Sequence, residues 1–371
     1  MTAGVIISHS SKLVLWLSDK FTSDPSKFPG LGSRDYVADF LAVDKYLNAN
    51  VHPNVSVLAR IADNEGYLTD HGPGHIKMVT HRASKLICSS DDADPFHTLL
   101  TPYEVLLLLM CIHFHDVGNR YGREGHEGQV LELMNRVPQM QTFPITERRT
   151  IARIASAHGG RVNGNKDTIQ KLLPEEPQTY GDLQYRPQLI AAVLRLADEL
   201  AEDNSRADNF ALLVPEDIPE ESKLYHKYAQ RLDSVRICCS TKAIDLSFSI
   251  YSDDIEEQFG YKRNSDKSVA TMYLLDAIFD RTKKTFLEAL YCNRFFRNGL
   301  NIHFSTVNVV ITAFKNPSSL EPFRPPIQYS IKEMGYPFGD QPPPLTQLCP
   351  ELIGIDGTSL KADLATTNAP T

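Results

Sequence analysis

The apolar run Val105-Leu-Leu-Leu-Leu-Met-Cys-Ile112 leads, two residues later, into the polar doublet His115-Asp116 and then Val117-Gly118. A helix that is apolar on every side belongs in a protein interior, so its end carries an imidazole and a carboxylate into that interior. Burying such groups is costly unless something satisfies them. Four more residues of the same kind fall on apolar faces of other expected helices. His75 shares a stripe with Val79, Ala83 and Leu86, and His126 with Val130, Leu133 and Val137. His158 follows Ile151 and Ile154, and Asp198 has Ile190, Leu194 and Ala201 as same-face neighbours. A single histidine of this sort is more often a hydrogen-bonded core group than a ligand. Asp198 alone would suit an ion pair with Arg195, for which Glu199 and Glu202 compete. Five helices all delivering His or Asp inward point instead to a shared partner, and a metal is the simplest one. His81 and His113 face away from these stripes and are set aside. His71 precedes its helix and fits a loop role equally well.

The 371 residues suffice for one large or two ordinary domains around a sizeable core. A formal net charge of -8 argues against a dedicated DNA-binding surface. The run that begins at Val105 is too short to cross a bilayer and ends in His and Asp, so no membrane partner is expected. The N-terminal MTAGVIISHSSKLVLWLSDK has no basic leader, and a cleaved secretory signal is not expected. Six cysteines, at 88, 111, 238, 239, 292 and 349, show no CxxC pair; they read as reduced thiols of a cytoplasmic protein.

The periodicities predict a mainly α chain: a helical domain, a smaller C-terminal α/β unit and an extended Pro-rich arm. Residues 1–64 form an N-terminal extension of loops and short helices (36–48 and 55–63). Residues 65–215 are the helical domain. Its first helix is capped by Asp70 or Thr69 and carries Pro73 in the first turn. Helices over 102–115, 126–136, 145–158 and 187–203 follow, broken by Gly, Pro or Asn. Residues 216–315 are the α/β unit. It has a helix over 219–232, a hairpin of 234–239 with 243–251, and a loop over 252–267 whose Asp253-Asp254 and Glu256-Glu257 pairs read as solvated. A long helix over 268–297 and a strand over 301–314 complete it. Residues 316–371 are the Pro-rich arm with a disordered tip.

Three segments carry a resemblance. Thr69-Asp-His-Gly-Pro-Gly-His75-Ile-Lys-Met-Val79, Cys111-Ile-His-Phe-His115-Asp116-Val-Gly118 and Leu194-Arg-Leu-Ala-Asp198-Glu-Leu200 are similar to parts of the HD-domain superfamily of metal-dependent phosphohydrolases. They match, in turn, its first His helix, its name-giving doublet and its closing Asp helix. Arg206 lies downstream as in several subgroups. The likeness covers about residues 65–210, and its Thr-Asp-His-Gly opening resembles a subgroup from bacterial signalling and conflict systems. It implies that His75, His115, Asp116 and Asp198 ligate the principal metal. It also implies that His126 and His158 hold a second metal or contact phosphate. One departure stands out: Asn119 occupies a position where many members place Lys. The phosphate-contacting cation is therefore expected from Arg120, Arg123, Arg161 or Lys166.

Mixed imidazole and carboxylate donors suit one or two divalent ions, Mn, Fe, Zn or, less well, Mg. The expected chemistry is hydrolysis of a phosphomonoester or phosphodiester in a nucleotide or nucleotide-like small molecule by a metal-activated water. Asp116 would hold that water, and His126 or His158 would position the phosphate or protonate the leaving group. Three alternatives stay open. A single-strand nuclease lacks the expected aromatic-rich basic stripe. A di-iron oxygenase is not excluded by ligand identity. A regulatory module would use metal and nucleotide binding to position the α/β unit. That unit itself reads as a packing or dimerisation module, so a homo-oligomer is the expected protein partner.

Overall fold

The computed structural model describes residues 12–55, 72–87, 98–121, 126–202, 219–263, 268–297, 299–300, 302–333 and 344–367. The protein is mainly α with a smaller α/β part. The described residues divide into two compact units. The first lies within Met1–Ala62, His71–Asp198 and Phe295–Asn301, the second within Glu199–Arg294 and Ile302–Thr371.

The first unit contains helices α1 (Lys12–Ser23), α2 (Tyr36–Asn50), α3 (Pro73–Ile87), α4 (Pro102–Phe114), α5 (Val130–Arg136), α6 (Ile145–Ser156), α7 (Thr168–Leu172) and α8 (Pro187–Glu199). A short hairpin, β1 (Gln178–Tyr180) with β2 (Leu183–Tyr185), precedes α8. The expected helix over 55–63 lies outside the described residues apart from Val55. Helix α4 is the axis of the unit, because every residue from Tyr103 to Phe114 is buried. Helices α1, α2, α3 and α6 pack around it. Its start is sharply defined. The Thr101 hydroxyl accepts from the Glu104 amide, and the Glu104 carboxylate accepts in return from the Thr101 amide, with Pro102 at the first helical position. The expected helix from His126 opens as a 3-10 turn, His126–Gln129, before α5. Gly128 sits in that turn, where its backbone freedom disfavours a regular α start.

In the second unit a four-stranded sheet has the order β3 (Leu232–Cys238), β4 (Ala243–Tyr251), β7 (Thr306–Phe314), β8 (Ile327–Lys332). Strands β3 and β4 form the expected antiparallel hairpin, β4 and β7 run parallel, and β8 returns antiparallel. Parallel neighbours need a crossover. It is supplied by α10 (Ser252–Glu256), the antiparallel pair β5 (Gln258–Lys262) and β6 (Val269–Tyr273), and α11 (Leu274–Phe296). Helix α9 (Glu220–Arg231) precedes the sheet. Leu246, Phe248, Ile250, Val309 and Ile311 build the core face.

Several expectations for this unit are corrected. The region 252–267 is not a plain loop: Phe259 and Tyr261 give β5 the alternation of a strand. Asp254 is not solvated but buried, taking Lys227 at 3.0 Å and two guanidinium contacts from Arg231. The expected helix from Ser268 gives its first residues to β6, where Val269, Thr271 and Tyr273 favour a strand. Strand β8 lies within the Pro-rich region, just after Pro325-Pro326, where a proline-free stretch alternates Ile327, Tyr329 and Ile331. Strand β5 packs against the start of α9 so closely that a Cβ on Gly260 would lie 2.3 Å from the Glu220 carbonyl oxygen.

Candidate metal centre

Helices α4 and α8 are pinned together at their starts. The Arg186 amide and Nε donate to Glu104 Oε1 at 2.9 and 2.7 Å, and Nη2 donates to Oε2 at 2.6 Å. His115 and Asp198 follow these two anchors at nearly equal separations along the chain. At the helical rise each lies about 17 Å further on, so the pair meets at the far end of the two helices. His75 joins from the first turn of α3, and His158 lies just past the end of α6. Three helices, α4, α6 and α8, thus direct their C-terminal ends toward this region, and helix C-termini favour cations.

One atom from each of His75, His115, Asp116 and Asp198 lies within 4.8 Å of the others. His75 Nε2 is 3.2 Å from Asp198 Oδ1 and 3.5 Å from Asp116 Oδ2. His115 Nε2 is 3.2 Å from Asp116 Oδ2, 3.6 Å from Asp198 Oδ1 and 3.4 Å from His75 Nε2. First-row divalent ions bond nitrogen and oxygen at about 2.0–2.2 Å, so donors around one ion stand roughly 3–3.5 Å apart. The cluster has that spacing. His115 Nδ1 donates to the Ile112 carbonyl at 2.7 Å, which leaves the Nε2 lone pair facing inward. The group fits a divalent ion in number, type and aim of donors. His75, His115 and Asp116 are buried, whereas the Asp198 side chain keeps 28 % of its exposure.

Burial alone would raise the Asp198 carboxyl and lower the His115 imidazolium. The opposite holds for both. His115 and His75 keep Asp198 well below the usual carboxylate range, and Asp116 and Asp198 hold His115 well above the usual imidazole value. The acids and imidazoles therefore share protons across the same lone pairs that a metal would use, and metal uptake would release protons.

His158 stands beside this group. Its ring meets that of His115 edge-on, with centroids 4.9 Å apart, and its Nδ1 donates to the Ala155 carbonyl at 2.7 Å. Its Nε2 lies 3.7 Å from Asp116 Oδ1. The other expected contacts are less close to view. The side chains of His126 and Arg120, and all of His71, Arg123 and Arg206, lie outside the described residues. Arg161 is exposed and donates to the Gly164 carbonyl at 2.7 Å; Lys166 is exposed as well. Arg195 donates to the Thr168 hydroxyl at 3.0 Å and to the Lys166 carbonyl at 3.2 Å, tying α8 to the loop ahead of α7. His81 is exposed on α3. His113 turns the other way, with Nε2 at 3.2 Å from Asp44 and Nδ1 at 3.1 Å from His52 Nε2.

His52 was not picked out by its sequence context, a lone histidine after α2. It is buried, and burial together with the neighbouring imidazoles of His113, His115 and His75 pushes its own imidazole well below the ordinary value. It is therefore a neutral group within the electrostatic reach of the cluster. With Asp44 accepting the His113 Nε2 proton, His113 Nδ1 accepts from His52.

A helical domain in which an adjacent His-Asp pair meets a preceding His and a following Asp at one buried point is an HD-type domain. The chain belongs to the HD-CE family, whose model matches residues 65–284, more than half of its length. No curated protein and no solved structure matches the chain. No described helix is long and apolar enough to cross a membrane.

Proposed function

We propose that the chain is a metal-dependent phosphohydrolase acting on a phosphoester of a nucleotide or nucleotide-like small molecule. The observation that carries this reading is the convergence of His75, His115, Asp116 and Asp198 within 4.8 Å in a domain of the HD-CE family. These four residues would hold a divalent ion, Mn, Fe, Zn or Mg. Such an ion polarises phosphoryl oxygens and lowers the pKa of a coordinated water from 15.7 toward about 7.

The protein's own groups then have separable tasks. Asp116 presents Oδ2 to the His75 and His115 donors and Oδ1 to His158, so it can hold an attacking water by hydrogen bonding while it ligates. His158, with Nδ1 committed to the Ala155 carbonyl, offers Nε2 to the phosphate or to a leaving-group oxygen that needs a proton. His126 would share this task or ligate a second ion. Arg120, Arg123, Arg161 and Lys166 are the cations placed by sequence to clamp remaining phosphates, the arginines by bidentate contact. The helical unit would carry the chemistry, and the α/β unit would pack or dimerise.

The test is elemental analysis of the purified protein, joined to a screen of nucleotides and cyclic nucleotides with Asp116→Ala as control. A stoichiometric metal and turnover lost in the variant support the reading. Equal turnover in parent and variant removes it.

A further inference from the structure

One face of the four-stranded sheet is laid out as a grid. The register sets Arg236, Asp245, Asn308 and Ser330 in one row across β3, β4, β7 and β8. Cys238, Ala243, Thr306 and Lys332 form the adjacent row. The period of two along a strand puts both rows on the same face. The face opposite carries Ile237, Ile244, Val307 and Ile331, all buried. Ala243 has the smallest side chain in the grid, and its taller neighbours leave a hollow above it. A cavity of about 430 Å³ lies there, walled by Arg236, Cys238, Thr241, Asp245, Thr306 and Asn308.

The charges around this hollow are not arranged as an ordinary strand pair. Arg236 and Asp245 stand directly opposite each other, a position where opposite charges normally pair. Asp245 instead turns along the sheet: Oδ1 accepts from Asn308 Nδ2 at 2.8 Å, and Oδ2 faces the Cys238 thiol at 3.5 Å. Asn308 Oδ1 in turn accepts from the Ser330 hydroxyl at 2.7 Å. The row holds the carboxylate in place, and among the described residues no acid pairs with the exposed guanidinium of Arg236. The hollow therefore presents an unpaired cation, a fixed carboxylate with lone pairs to spare, and the hydroxyls of Thr241 and Thr306.

We propose that this hollow is a binding site for a small hydroxylated oxyanion of the sugar-phosphate type. The anion lies on the Arg236 fork, which suits bidentate oxyanion contact, and a ligand hydroxyl donates to Asp245. The volume is in the range of small-molecule sites, about 300–1,000 Å³. All of its residues belong to the second unit, so the site stands or falls apart from the metal centre.

The experiment is isothermal titration calorimetry on the full chain carrying Asp116→Ala, in which the proposed turnover is removed and the heat that depends on Arg236 reports the hollow. The probes are ribose 5-phosphate, inorganic phosphate, ribose and gluconate. Ribose 5-phosphate binds one per chain, and Arg236→Ala weakens it about tenfold or more, the loss expected for one charge-assisted contact. Asp245→Asn weakens ribose 5-phosphate but not inorganic phosphate, and Ala243→Leu fills the hollow and abolishes both. Tighter binding of gluconate with the same dependence on Arg236 supports the site with a carboxylate as its anion. Arg236 is exposed, so its variant keeps the test valid if the sheet variants fail to fold. No heat with any probe at millimolar concentration, or equal binding by the Arg236→Ala protein, overturns the proposal.

Discussion

His158 Nε2 approaches Asp116 on Oδ1, the carboxylate oxygen opposite the one that faces His75 and His115. One carboxylate thus links a ligand cluster to a histidine outside it. The two roles should separate on mutation. His158→Gln is expected to keep its metal, measured by elemental analysis, while kcat falls by about 10²- to 10⁴-fold, the usual span for a lost general acid or base. Asp116→Ala should lose metal and turnover together. A His158→Gln protein that also loses its metal would assign His158 to the ligand set.

Metal should stabilise the fold by mass action. Because the donors come from α3, α4 and α8, an ion that binds only the native arrangement ties three helices together. At a hundredfold excess over Kd the gain is about 2.7 kcal/mol. Chelation should lower Tm by a corresponding amount, and readdition of a divalent ion should restore it. In Asp198→Ala the thermal response to metal should vanish. A response as large in that variant as in the parent would mean the ion binds elsewhere.

The helical half was readable because His75 and Asp198 sit on helices with strong periodicity, while His115 and Asp116 directly follow α4, whose burial follows from its composition. His75, His115, Asp116 and Asp198 were legible for the same reason: a polar group on a greasy stripe is conspicuous. His52 was not, because its neighbours acquire meaning only through the contact with His113, far away in sequence. The α/β unit was harder. Strands β5 and β6 are too short for periodicity to outweigh the surrounding polar residues, and the burial of Asp254 depends on Lys227 and Arg231 from α9. Strand β8 was hidden by flanking prolines, although its own residues carry none.

His52 gives a pH dependence of known sign. Its folded pKa lies below the unfolded value of about 6.5, so the unfolded chain binds the extra proton first. The stability it contributes is complete above pH ~6.5 and declines as pH falls toward the folded value. Metal-free parent protein should therefore lose stability below about pH 6.5 more steeply than His52→Gln, by up to about 1.4 kcal/mol per pH unit. His115 titrates with the opposite sign and is present in both proteins, so the difference reports His52 together with its coupling to the neighbouring imidazoles. Chemical denaturation across that range is the measurement. Parallel curves would show that His52 has the same proton affinity in the folded and unfolded chain.

Glu104 links the fold to the site. Its carboxylate caps α4 and receives three donors from Arg186, the residue ahead of α8, while its side chain is almost wholly buried. Removing one member of such a pair leaves an uncompensated charge and typically costs about 3–5 kcal/mol. Arg186 retains some exposure, with 24 % of its side chain accessible, so the lower end of that range is expected for Glu104→Ala. The same contact sets the register between α4 and α8, and that register brings His115 and Asp198 to one point. Glu104→Ala should therefore also weaken metal affinity, although it lies about 17 Å along the helix from the cluster. Glu104→Gln keeps a single acceptor oxygen, which can serve the Thr101 amide and Arg186 Nη2, and should recover part of both losses. Equilibrium unfolding and metal titration on the three proteins decide the matter: if stability falls while metal affinity stays unchanged, the two helices do not need this anchor to hold their register at the site.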